Sequence, residues 1–158
     1  MKKFLMLVLI AIVVLAASLL PLKTKDTNLN EELIKRVIEI AVVSGKIPDY
    51  NLIKDKNNII ISSENIESTL SGVLSGMNYT ILTPLEIKGK ANKEGDFLYL
   101  KFKKIDINIM KATISIDNTW SLGNNSKFSY LSGGGMTITF HKRFGKWIED
   151  TTREMWIS

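Results

Sequence analysis

Phe97-Leu98-Tyr99-Leu100-Lys101-Phe102-Lys103-Lys104-Ile105-Asp106-Ile107 changes its apolar parity half-way along. Leu98, Leu100 and Phe102 alternate on one parity, then Ile105, Ile107 and Ile109 on the other. Side chains in a strand point to opposite faces in turn, so alternation of this kind predicts a strand with one buried face. A shift of one residue between 102 and 105 predicts a bulge. Downstream, Ala112, Ile114 and Ile116 predict a second strand running toward Trp120 and Leu122. Met136, Ile138 and Phe140 predict a third. Phe144-Gly145-Lys146 then turns the chain, Trp147-Ile148 starts the return, and Met155-Trp156-Ile157 makes a last strand.

Upstream of residue 96 the signals are mixed. Thr83-Pro84-Leu85-Glu86 combines an N-cap, a proline in the first turn and a glutamate at the third position, a capping box that predicts a helix to about Glu94 and a stop at Gly95. Ile59-Ile60-Ile61 and Tyr79–Leu82 read as short strands, with a brief helix capped by Ser63 between them. Earlier still, Leu33, Ile34, Val37, Ile38 and Ala41 recur at helical spacing between an Asn30 cap and Gly45. Helices first and an antiparallel meander afterwards is an α+β pattern: short helices packed on a curved antiparallel sheet.

Ahead of this domain, Lys2 and Lys3 precede an unbroken apolar run from Phe4 to Ala17, followed by Ser18, Leu19, Leu20, Pro21 and Leu22. The run fits a secretory signal with an Ala16-Ala17-Ser18 exit. It fits a retained helix somewhat better, since the stretch is long for a cleaved signal and about 20 apolar residues cross a bilayer. The expected organisation is therefore an N-terminal hydrophobic helix over 1–22, as signal peptide or transmembrane anchor, a tether over 23–29, and the α+β domain over 30–158. That layout predicts a membrane-anchored, exported C-terminal domain, or release to the periplasm or extracellular space after cleavage. Lys23 and Lys25 balance Lys2 and Lys3, so flanking charge does not set the orientation, and a cytoplasmic domain beneath its anchor stays open.

The order of elements, with short helices, long bent hairpins and a final Gly-Lys-Trp strand, resembles the nuclear-transport-factor-like (cystatin-like) cone superfamily. Ser132-Gly133-Gly134-Gly135-Met136-Thr137-Ile138-Thr139-Phe140 and Phe144-Gly145-Lys146-Trp147-Ile148 carry the resemblance. It implies helices closing one side of a strongly curved sheet around an apolar cone, which serves as an active site, a ligand pocket or a filled core. No functional residue of the superfamily's enzymes transfers to a position here.

Several chemistries lack residues to perform them. The chain has no cysteine, so disulfides, thiolate metal sites and cysteine nucleophiles are excluded. His141 is the one histidine; it lies on the polar parity of its strand and reads as a surface residue. Gly133-Gly134-Gly135 is followed by a strand, where a phosphate cradle needs a helix N-terminus, and reads as a strand hinge or a place where another segment comes close. Asp106, Asp117, Glu149 and Asp150 follow or lie between apolar strand residues and are expected to face water. The net charge of +5 is dispersed. Lys101-Phe102-Lys103-Lys104 and His141-Lys142-Arg143 split across two strand faces rather than forming a basic patch, which argues against nucleic acid. No cofactor or metal site is expected.

Aromatic residues are the remaining lead. Phe97 and Tyr99 lie opposite Leu98 and Leu100, so one strand is apolar on both faces. Phe97, Tyr99, Trp120 and Trp147 form the candidate interaction surface, for a protein partner or a second copy of the chain. The leading expectation is a membrane-tethered, non-enzymatic module for protein–protein interaction. The alternative is a small-ligand binder or cofactor-free enzyme using an apolar cone-shaped pocket.

Overall fold

The structure is a computed structural model, describing residues 27–66, 72–74, 76–128 and 133–157. The expected membrane segment over 1–22 lies outside the described residues. Among the described residues, no helix is long and apolar enough to cross a membrane.

Helix α1 spans Thr27–Ile38 and continues as a π-helical turn over Glu39–Val43. Asn30 is therefore inside the helix rather than its cap, and the helix already covers residues 27–29, expected as tether. Asparagine in a helix interior costs no more than about 0.7 kcal/mol relative to alanine. The buried stripe of Leu33, Ile34, Val37 and Ile38 readily outweighs it. The wider π turn keeps Ala41 and Val42 both buried. Gly45 ends the segment at φ 60, where its lack of a Cβ is needed.

Strand β1 (Asn58–Ser62), β2 (Gly72–Leu74) and β3 (Met77–Leu82) precede helix α2 (Pro84–Glu94). Then follow β4 (Phe97–Ile107), β5 (Lys111–Ser121), β6 (Gly134–Arg143), β7 (Lys146–Glu149) and β8 (Glu154–Ile157). The capping box forms as expected: the Thr83 side chain accepts from the Glu86 N–H, and the Glu86 carboxylate accepts from the Thr83 N–H. The Thr83 N–H and then the Thr83 hydroxyl, both donating to the Glu86 carboxylate, hold its pKa below the ordinary value. The helix expected after Ser63 does not begin there. Glu64 and Asn65 make a turn with Asn65 at φ 67, its side chain donating to the Phe102 carbonyl at 2.9 Å. Residues 67–71 lie outside the described residues, and Gly72 opens a strand.

The sheet runs β2-β3-β1-β4-β5-β6-β7, with β8 pairing β6 beyond the end of β7. It is strongly curled and rich in antiparallel pairs, but it is not wholly antiparallel. Strand β1 is parallel to both β3 and β4, and α2 makes the crossover that lets β3 and β4 run the same way. The expected bulge is present, with the β4–β5 register shifting between Phe102 and Lys104.

Curling brings one face of the sheet around α1. Leu100, Phe102, Ala112, Ile114, Ile116, Met136, Ile138 and Phe140 are fully buried there against Leu33, Val37 and Ala41. The concave side is thus a filled core. Arg36 reaches from α1 to the far edge of the sheet, donating to the Trp147 carbonyl at 2.8 Å and lying 5.2 Å from the Phe140 ring centroid.

Two glycines let neighbours approach β6. A Cβ on Gly134 would stand 2.5 Å from the Pro48 side chain, and one on Gly135 would stand 2.4 Å from both the Asp117 carboxylate and the Trp156 ring. Close approach, one of the two roles expected for this glycine run, is what these positions serve.

Candidate functional site

Strands β1 and β4 are joined through one residue pair, Ile61 with Leu100. Ahead of that bridge they splay apart, and a cavity of about 580 Å³ opens between them beneath the C-terminal half of α2. Outward-facing Ile60, Thr80, Leu82, Phe97 and Tyr99 line it, together with Ile59 and Leu98 at the split. The volume falls within the range of small-molecule sites, about 300–1,000 Å³.

Phe97 and Tyr99 stand edge-to-face, with ring centroids 6.5 Å apart and planes at 62°. Both are half-buried. Burial pushes the Tyr99 phenol above its ordinary pKa, so it stays neutral at physiological pH and offers a hydroxyl that both donates and accepts hydrogen bonds.

Charged groups at the rim are engaged among themselves. Lys54 Nζ donates to the Asp96 carbonyl at 2.9 Å. The Asp55 carboxylate accepts from the Asn57 and Asn58 backbone N–H groups at 3.0 and 3.1 Å and from the Asn58 side chain at 2.8 Å. Its pKa lies below the usual carboxylate range, chiefly because of the Asn58 side chain. Lys90 pairs with Glu94 along α2. Asp96 faces the other way and ties down the loop after β5, accepting from Ser126 Oγ and the Gly123 N–H, each at 2.7 Å. What remains toward the cavity is apolar wall, the Tyr99 phenol, the Thr80 hydroxyl and strand backbone.

Asp96 carries a pH prediction. The Ser126 hydrogen bond, then the Gly123 N–H, hold its pKa below the ordinary 3.8. A depressed carboxylate stabilises the fold above its unfolded pKa and loses that contribution as pH falls through the folded value. The Gly123 amide proton is therefore expected to titrate with a midpoint below 3.8, and the step is expected to vanish in Asp96→Asn. An NMR titration that shows no such step in the native chain contradicts the tie.

Of the four residues expected to form one surface, the structure brings two together. Trp120 pairs with Leu98, which puts it on the opposite side of the sheet from Phe97 and Tyr99, partly buried against the core. Trp147 is a core residue at 6% exposure and offers no surface. Strand β7 pairs with the end of β6 and turns its tryptophan inward beside Phe140, a placement that its short apolar-aromatic sequence does not reveal.

Asp117 also departs from expectation. It faces outward from β5 but is buried, bridged to Lys103 Nζ at 2.8 Å and covered by Trp156 from β8. Asp106, Glu149 and Asp150 are at the surface as expected or partly so, with Glu149 paired to Arg153. His141 is partly exposed, its Nε2 3.6 Å from Asp150. No group of three or more metal-ligating His, Asp or Glu occurs among the described residues.

The sequence reading missed the cavity itself. A signal was present: Ile59-Ile60-Ile61 is apolar on both parities, as Phe97–Leu100 is, and two such strands side by side need cover on both faces. Comparison with known proteins finds no matching family model, no matching curated protein and no matching solved structure.

Proposed function

We propose that this chain is a membrane-tethered, extracytoplasmic binding module that takes an apolar segment of a partner protein in the cleft between β1 and β4. The observation that carries this reading is the contrast between the two faces of the sheet. The concave face is filled by α1 and the core, while the outer face keeps an aromatic-lined cavity whose rim charges are hydrogen-bonded or ion-paired to neighbouring protein groups. The arrangement suits recognition by shape and burial, with Phe97 and Tyr99 as anchors. A curled sheet closed by a helix also supports kinship with the cone superfamily, with the cone used as core rather than as pocket. The apolar run over residues 1–22 supports the tether.

A photo-crosslinking amino acid in place of Tyr99, in cells making the full chain, tests the partner. One discrete protein adduct is expected, absent when the probe sits instead at the exposed Leu85. The double change Phe97→Ser and Tyr99→Ser is expected to weaken capture at least tenfold, about 1.4 kcal/mol or more. No adduct from position 99 sinks the reading.

The cavity's size favours a second reading, a small apolar ligand in the same cleft. Native mass spectrometry of the purified chain distinguishes it: a retained molecule of a few hundred daltons, lost in the double variant, replaces the protein partner.

A further inference from the structure

Two hairpin tips lie side by side at one end of the sheet. The β4–β5 turn holds Ile109 and Met110; the β6–β7 turn holds Phe144 and Gly145. The Lys142 N–H donates to the Met110 carbonyl at 2.8 Å, which locks the tips together. Their apolar side chains point into solvent: Ile109 is 84% exposed, Met110 62% and Phe144 104%.

Phe144 is the most telling of the three. It has φ 50 and Gly145 has φ 77, the left-handed pair of a tight hairpin turn. Asparagine or glycine suits the first of these positions, and a bulky ring does not. The turn thus holds a large apolar side chain at its outermost point, in a backbone conformation unfavourable to it.

Around the three apolar side chains sit Lys111, Lys142, Arg143 and Lys146. Lys111 pairs with His141 across β5 and β6, and Arg143 pairs with Lys146 across the turn. None of the four is ion-paired to an acid among the described residues. Alternation along a single strand separates Lys142 from Arg143, but the turn and the neighbouring hairpin gather all four basic residues at one end.

Helix α1 begins at Thr27, close behind the apolar N-terminal run, and its third turn reaches the tip half of the sheet. Arg36, in the third turn, meets Trp147 and Phe140 in the tip half of the sheet. Pro48, past the helix, meets Gly134 and Asn118 at the other end. Between Leu22 and Thr27 there are only five Cα steps, at most roughly 17 Å of chain.

We propose that this end is a membrane-docking surface: Ile109, Met110 and Phe144 enter the headgroup region of a bilayer, and the four basic side chains contact anionic lipid headgroups. Apolar residues ringed by lysine and arginine are the composition that binds such an interface. The inference rests on the tethered-module reading and deepens it by fixing which end faces the lipid. It leaves the cleft, at the opposite end of β4, directed away from the membrane.

The absence of cysteine allows a clean test. The full chain, with Phe144→Cys or Ile109→Cys carrying an environment-sensitive fluorophore, is placed in nanodiscs containing one-third phosphatidylglycerol. Lipid-borne quenchers are expected to reach probes at 109 and 144 and not one at Leu85→Cys. Pure phosphatidylcholine, or Arg143→Glu with Lys146→Glu, is expected to reduce that quenching at least threefold. Phe144→Asn, which suits its turn and keeps the fold, is expected to weaken the signal from a probe at 109. Equal aqueous exposure at 85, 109 and 144 in anionic nanodiscs overturns the proposal. So does shielding at 144 that persists in detergent, which would mark self-association.

Alkaline carbonate extraction reads the tether separately. Should the chain wash off, the tether fails, and sedimentation of the released protein with anionic vesicles decides the docking end alone. Binding with probe 144 shielded upholds it; no binding overturns it.

Discussion

Trp147→Ala is expected to lower the free energy of unfolding by about 3–5 kcal/mol, the usual cost of deleting a buried large aromatic side chain. Trp147 is 6% exposed within the main core cluster. Its carbonyl anchors Arg36 of α1, and Lys142 lies 5.5 Å from its ring centroid. A cavity there would loosen β7, the edge that α1 grips. Trp147→Phe is expected to cost less than about 1.5 kcal/mol, because apolar volume is largely kept. The indole Nε1 has no hydrogen-bond partner among the described residues, so its loss forfeits no bond. Urea denaturation of both variants checks the pair. A loss below 1 kcal/mol (on the scale of a surface substitution) for Trp147→Ala would return this residue to the surface.

Gly135→Ala is expected to cost about 1–3 kcal/mol, as overpacking does. The added methyl would meet the Asp117 carboxylate and the Trp156 ring, each at 2.4 Å. The ring must lift or β6 must shift. Lifting it uncovers Asp117 and breaks the stacking of Lys103, whose Nζ lies 5.7 Å from the Trp156 centroid. Thermal melting followed by tryptophan fluorescence reads both effects, with a red shift expected from Trp156 as it meets water. Gly89→Ala is the matched contrast. It lies inside α2 with open space around a built Cβ, so alanine is expected to stabilise by about 0.5–1 kcal/mol. A Gly135→Ala protein as stable as the Gly89→Ala protein would mean that Trp156 does not pack on β6.

Local order was the most legible part of the fold. The parity switch in Phe97–Ile107 located the β4 bulge, because side-chain alternation is a property of the strand alone. The Thr83–Glu86 capping box located the start of α2, because a cap closes its hydrogen bonds within four residues. Alternation in 112–116 and 136–140 identified the buried strand faces for the same reason. These features depend on neighbours along the chain.

The rest depends on neighbours in space. The parallel placement of β1 between β3 and β4 involves the β2–β3 hairpin and the α2 crossover, so the expectation of a purely antiparallel sheet fails there. Trp120 and Trp147 looked like companions of Phe97 and Tyr99 until sheet register put them on the inner side. Asp117 reads as a solvent-facing carboxylate because nothing local announces that Trp156, 39 residues later in the numbering, folds over it. The basic residues at 111, 142, 143 and 146 are dispersed in the sequence and converge only where two hairpins end together.

By itself, then, the sequence determined an apolar N-terminal segment, an α+β domain, the periodicity of its strands and a chain with no thiol chemistry. These follow from composition and from contacts over a few residues. Tertiary structure decided that the concave face of the sheet is filled, that a cleft opens where β1 and β4 part, and which end of the sheet gathers exposed apolar and basic side chains. Those outcomes depend on register and curvature, which are set jointly by strands far apart in the chain.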